Sequence, residues 1–215
     1  MADERTLDEL RLALAPGIAR AAVFDGWSEA ALERAAAAEG VDPAVARLAF
    51  PGGAMDMIDA WIEATDERMR QAFADGRLAG MKVRDRIRAL LIFRLDSLAG
   101  HEEALRRALA IQAMPRNLAR ALKIGWRGAD RMWRLAGDTA TDYNHYTKRA
   151  LLAGIYGSAL LLVDDKSEGK ADTHAFVDRR IDDVMKFEKA KGQVLAKREG
   201  FDMARFLGRL RYPAR

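Results

Sequence analysis

An all-α fold of about nine helices, closed by a short amphipathic C-terminal helix, is what this 215-residue sequence predicts. Two observations carry the prediction. Strand signals are missing: no stretch sustains apolar–polar alternation, β-branched runs are few, and no Asn-Gly or Asp-Gly hairpin turn joins apolar segments. Helical periodicity recurs instead. Met55, Ile58, Ile62, Met69 and Phe73 fall at three-, four- and seven-residue spacings, as do Val83, Ile87, Leu90, Leu91, Leu95 and Leu98, and later Val177, Ile181, Val184 and Met185.

Punctuation sets the boundaries. Asp25-Gly26 ends a first helix that contains Pro16-Gly17, a place for a kink. Ser28 caps a second helix and Gly40 closes it. Pro43 starts a short third helix, and Pro51-Gly52-Gly53 separates it from a long fourth. Gly76 and Gly80 bound a loop, while Gly100 and Pro115 set off later helices. Thr139, with Asp142 three residues on, fits a capping box before an apolar helix over Ala150–Val163. Ser167–Lys170 opens the ninth helix.

Composition narrows the function. Half the residues are hydrophobic and 32% are charged, which fits a solvated protein with a real core. With no cysteine there is no disulfide framework, thiol nucleophile or zinc knuckle. The start, Met1-Ala2-Asp3-Glu4-Arg5, is acidic and lacks the apolar core of a signal peptide. The run Ala150–Val163 is shorter than the ~20 residues that span a bilayer. The expectation is a soluble or peripheral protein.

Charge is uneven along the chain. Residues 186–215 hold nine basic and three acidic residues, net +6; the preceding 185 hold 27 basic and 29 acidic, net −2. A basic tail on a neutral body is drawn to anionic lipid or nucleic acid. Within it Phe201, Met203, Phe206, Leu207 and Leu210 supply an apolar face, and Arg205, Arg209 and Arg211 stand ready for lipid phosphates. Under three turns long, such a helix is unstable alone in water and would be ordered by an anionic membrane surface.

The first three helices resemble the helix-turn-helix of tetracycline-repressor-type regulators, aligned on Gly40-Val41. Positions where those repressors carry a tyrosine and a histidine against DNA phosphate hold Arg47 and Ala49 here. Base readout wants several Arg, Lys, Asn or Gln on the groove-facing surface, and only Arg47 qualifies. No nucleic-acid partner is therefore expected.

Candidates for chemistry are few. His101, His145 and His174 are the sole imidazoles. Asp142-x-x-His145 has a di-iron bundle spacing, but such sites need a second copy and two further carboxylates, and no second copy exists. No nucleophile elbow, P-loop or dinucleotide fingerprint is present. The expectation is a non-enzymatic protein with no cofactor and no metal. The Ala150–Val163 helix, apolar on all sides, reads either as a packed central helix or as the wall of a lipid pocket. In the second reading Gly154 and Gly157 face a cavity with Leu151, Leu152, Ile155 and Ala159, opposite Leu91 and Leu95.

The densest motif is Met132-Trp133, Ala136-Gly137-Asp138, Thr141-Asp142-Tyr143-Asn144, Tyr146-Thr147-Lys148-Arg149 and Ile155-Tyr156. Asp164, Ser167, Thr173, Phe176, Arg180-Ile181 and Asp183-Val184 follow it. Together they resemble the lipid-binding accessory family of ubiquinone (coenzyme Q) biosynthesis, in its alphaproteobacterial form. The resemblance implies a tetracycline-repressor-like homodimer that has given up DNA binding. It would bind an isoprenoid quinone precursor or phospholipid and present the precursor to the demethoxyubiquinone hydroxylase, in the bacterial cytoplasm on the inner membrane. A ligand-responsive transcription regulator is the alternative. By resemblance the hydroxylase-docking patch lies at Pro115, Asp130, Trp133 and Arg134, where Arg134 replaces an aromatic common in the family; His174 likewise replaces a tryptophan. The implied division is 1–53 helix-turn-helix-like, 54–199 lipid-binding and dimerising, and 200–215 membrane-contacting.

Overall fold

The computed structural model describes residues 5–139, 143–162 and 164–199 of the chain. Nine α-helices lie among the described residues: α1 (Leu7–Asp25), α2 (Glu29–Ala38), α3 (Pro43–Ala49), α4 (Ala54–Ala72), α5 (Val83–Asp96), α6 (Glu102–Gln112), α7 (Leu118–Leu135), α8 (Tyr143–Leu160) and α9 (Ala171–Glu199). Short 3-10 turns at Pro115–Asn117 and Glu168–Lys170 lead into α7 and α9. No helix among the described residues is long and apolar enough to cross a membrane.

Side-chain caps start the first three helices. Thr6 and Glu9 form a capping box on α1: the Thr6 amide donates to the Glu9 carboxylate and the Glu9 amide to the Thr6 hydroxyl. The Ser28 hydroxyl accepts from the Ala31 amide at the start of α2. Asp42 does the same for Ala44 ahead of Pro43, whose ring suits a first helical position. Pro16 sits inside α1 without ending it.

The apolar Ala150–Val163 run predicted a later helix than the one observed. α8 begins at Tyr143 and ends at Leu160, because the polar stretch before Ala150 is itself helical and spends Lys148 and Arg149 on ion pairs. Asp142 of the expected capping box lies outside the described residues.

The chain divides into two compact units, residues 1–177 and 178–215. In the first, α1, α2, α4 and α6 enclose the main core through residues such as Leu14, Ile18, Leu32, Ile58 and Leu105. The Trp27 indole N–H donates to the Ala104 carbonyl at 2.9 Å, and its ring lies 5.3 Å from that of Trp61. Gly17 lets α1 and α2 meet closely, since a Cβ there would stand 3.1 Å from that of Ala35. Helices α1, α2 and α3 share this core with α4 and α6. The second unit holds the remainder of α9, in which Arg180 pairs with Asp183 at 2.9 Å. The expected membrane residues Phe201, Met203, Arg205, Phe206, Leu207, Arg209 and Leu210 lie outside the described residues.

An ion-pair ladder joins α4 to α7. Asp56, Asp59, Glu63 and Asp66 recur on one face of α4 and meet Arg120, Arg127 and Arg131 of α7. At its inner end Asp66 also contacts Arg94 of α5, and both side chains are almost wholly buried. Gly128 of α7 makes room for that guanidinium: a Cβ there would lie 3.3 Å from Arg94 Nη2. The ladder holds α7 on the body and so fixes where its C-terminal half meets α8.

Candidate functional site

The α7–α8 corner is built around Arg149, whose side chain is only 2% exposed. Its Nε donates to Asp130 at 2.6 Å, and its Nη1 donates to Asp138 and to the His145 carbonyl, each at 3.1 Å. Lys148 completes the cluster by donating to Asp138 at 2.7 Å and lying 5.3 Å from the Trp133 ring centre. The Trp133 indole N–H donates back to the Lys148 carbonyl at 3.0 Å.

The chain reverses correctly because α7 stops at a glycine. The Asp138 amide donates to the Trp133 carbonyl and the Gly137 amide to the Arg134 carbonyl, a Schellman stop with Gly137 at φ +87°. That turn carries Asp138 back over α7 to meet Lys148 and Arg149.

Burial opposes charge on Asp130, but hydrogen bonds from Arg149 and Arg134 outweigh it and hold the carboxyl below its usual range. Asp138 is treated likewise: burial raises it, and donation by Lys148 and Arg149 lowers it further than burial raises it. Both therefore carry full negative charge near neutral pH. They meet three cations, Arg149 and Lys148 inside the corner and Arg134 at its surface, so the corner is locked by ion pairs.

Outside this lock lies an exposed surface. The Tyr146 ring is 62% exposed, stacks 6.0 Å from Trp126 and meets His145 edge-on at 5.1 Å. Arg134 is largely exposed while pairing with Asp130 at 2.7 Å. Of the four residues expected to dock a partner, Arg134 alone is a surface group of this corner. Trp133 and Asp130 are part-buried and tie α7 to α8. Pro115 is exposed but starts the turn before α7, fifteen residues from Asp130 and thus roughly 20 Å along the helix.

The second candidate feature is a cavity of about 40 Å³ among α4, α5, α6 and α8, lined by residues including Ile58, Trp61, Leu98, Leu109 and Tyr156. A smaller one of about 20 Å³ adjoins it, lined by Leu95, Ala159, Leu162 and Lys170 among others, with Leu98, Leu105 and Leu160 common to both. Of the expected lipid-binding residues, Leu95 and Ala159 therefore line a described cavity. Leu91, Leu152 and Ile155 are buried, and Leu151 is half-buried.

Gly154 and Gly157 are placed differently from the cavity wall expected of them. Both are exposed, and a Cβ on either meets nothing within 4 Å. On a 3.6-residue period Leu152, Ile155 and Ala159 share the inward face, so the two glycines fall on the outward one. There they form a low stripe with Ala150, between exposed Tyr146 and Leu161.

Sequence reasoning missed Arg94, Asp66 and the central role of Arg149. The ladder had a legible signal in the spacing of its carboxylates at 56, 59, 63 and 66 and its arginines at 120, 127 and 131. Arg94 had none, since one arginine in an amphipathic helix ordinarily faces water.

Comparison with known proteins bears on this corner directly. Residues 118–188, which span α7, α8 and the first part of α9, match the COQ9 family. The mitochondrial ubiquinone biosynthesis protein COQ9 of Rattus norvegicus is 31% identical over 177 residues, covering 79% of this chain and 56% of the rat protein. Its Homo sapiens counterpart is 29% identical over 177 residues, covering 79% and 55% respectively. The chain thus spans about half the length of these curated relatives. Among solved structures, the TetR transcriptional regulator from Nitrosomonas europaea superposes with a TM-score of 0.63 at 23% identity, over 80% of this chain and 95% of that one. That likeness is one of fold.

Proposed function

Taking the chain as a COQ9 homologue, with the family's match falling on the α7–α8 corner, we propose that it serves ubiquinone biosynthesis as a non-enzymatic lipid-binding partner. It would bind an isoprenoid quinone precursor and present it to the demethoxyubiquinone hydroxylase. The observation that carries this reading is the apolar cavity closed by α8, the helix whose other end forms the exposed aromatic corner. Ligand and partner surfaces then share one rigid element. At about 40 Å³ the cavity has room for two or three waters, so a lipid must part the side chains lining it.

The transcription-regulator alternative draws less support. On α3 the one basic residue, Arg47, is taken up by Glu29 and Glu33 of α2, while Val45 and Leu48 stand exposed. An apolar, charge-neutralised helix is poorly suited to phosphate and base edges.

The docking surface in this proposal is Tyr146, His145, Trp126 and Arg134, with Asp130 and Trp133 positioning it from below; Pro115 is left out because of its distance. A central interface aromatic commonly carries ~2 kcal/mol, so Tyr146→Ala should weaken hydroxylase binding roughly thirtyfold without lowering the melting temperature. Light scattering on the complex would also read whether the chain enters as the homodimer that its resemblance implies. Unchanged affinity in Tyr146→Ala removes this corner from the interface. For the tail, flotation with anionic vesicles should require residues 200–215 and weaken in high salt. Equal flotation of a chain ending at Glu199 sinks membrane anchoring.

A further inference from the structure

The wall of the larger cavity is mainly apolar, with Arg94, Thr65 and Gln112 as its polar residues. Thr65, also in its wall, is satisfied: its hydroxyl donates to the Trp61 carbonyl at 3.0 Å and accepts from Arg68 at 3.2 Å. Arg94 is almost wholly buried, lies with its guanidinium carbon 4.7 Å from the Tyr156 ring centre, and has no hydrogen-bond partner for its Nε among the described residues. Its charge is nevertheless matched. Arg94 and Arg131 face Asp66 and Glu63, two cations against two carboxylates. What the Arg94 Nε–H lacks is an acceptor rather than a counter-charge.

We propose that this cavity seats the neutral, oxygen-bearing head of an amphiphile, with an acceptor oxygen taking the Arg94 Nε–H. The inference rests on the lipid-binding reading and specifies the head group and its orientation. A ring carbonyl or ring ether fits, because the aromatic side chains of Trp61 and Tyr156 line the same cavity as Arg94. A phosphate or carboxylate head does not, since it would bring an unmatched charge into a buried, balanced cluster. The tail runs the other way. Leu98, Leu105 and Leu160 partition the two cavities, and rotating Leu98 and Leu160 joins them into one channel towards Leu162 and Lys170. The head is therefore held inside and the tail leads out.

The test uses the purified, delipidated full chain and three probes: a ubiquinone with a two-isoprene tail, the ten-carbon hydrocarbon of that tail, and a fatty acid of similar length. Trp61 fluorescence or calorimetry reads binding. Arg94→Lys keeps a cation beside Asp66 but removes Nε. A lost hydrogen bond to a charged donor predicts about tenfold weaker quinone binding in this variant, with hydrocarbon binding unchanged. Equal losses for quinone and hydrocarbon, or no loss for either, overturn the Arg94 anchor and leave the lipid-binding reading standing. Failure of all three probes to bind the unaltered chain overturns both. Should Arg94→Lys not fold, the unaltered chain still decides: quinone should be preferred about tenfold over both other probes by the same arithmetic. Equal binding, or preference for the fatty acid, overturns the proposal.

Discussion

Asp66→Ala should destabilise the protein by about 3–5 kcal/mol, the cost of stranding one partner of a buried ion pair. The reason lies in what remains. Arg94 would keep its charge in a site almost closed to water, with Asp66 gone and Arg131 still committed to Glu63. Glu63 gives the control. Its side chain is a third exposed, as is that of Arg131, and Arg131 would retain Asp66. Glu63→Ala should therefore cost no more than about 1 kcal/mol, as for a solvent-screened pair. Urea denaturation of both variants checks the contrast. Equal losses would mean that burial does not grade the ladder from its outer to its inner end.

Arg149→Met should cost about 3 kcal/mol, the lower end of the same range, because Asp130 keeps Arg134 and Asp138 keeps Lys148. For a chain of this size that corresponds to roughly 6–12 °C in melting temperature. The substitution should also change how stability depends on pH. Asp130 and Asp138 have carboxyls held below their unfolded range, so the stability they contribute is present above the unfolded value of about 4. It is lost as pH falls through their lower, folded values. The unaltered chain should hold its urea midpoint from pH 7 to about pH 5 and lose it progressively below about pH 4. With Arg149 gone the carboxyls titrate closer to their unfolded value, so the acid loss should shrink. An unchanged pH profile in Arg149→Met would show that the acid sensitivity arises elsewhere.

The parts of this architecture that were legible in the sequence are those fixed locally. Ser28, Pro43 and Gly53 punctuate the chain through contacts a few residues away, so their helix ends follow from neighbours alone. The corner motif was also visible, because Trp133, Asp138, Lys148 and Arg149 crowd a short span. Its internal division was not. Whether Trp133 meets a partner or the Lys148 carbonyl depends on how α7 and α8 cross, and periodicity does not set a crossing.

The same limit explains α8. An all-apolar composition suggested burial on every side, yet glycine and alanine expose so little apolar area that they can face outward at small cost. Gly154 and Gly157 do so, and the residues that close the cavity are Tyr156, Ala159 and Leu160. Arg94 lies furthest from sequence reasoning: its partner Asp66 comes from another helix, 28 positions earlier in the chain.

A protein that carries a prenylated quinone precursor for another enzyme to modify, as proposed for this chain, should retain such lipid on purification. Mass spectrometry of lipids extracted from the purified full chain tests it most directly, against an unrelated helical protein prepared from the same cells. Prenylated quinones or their ring precursors should be enriched with this chain, and depleted in Leu98→Trp, whose larger ring fills space at the wall shared by the two cavities. Lipid extracts indistinguishable from those of the control protein would contradict that proposal.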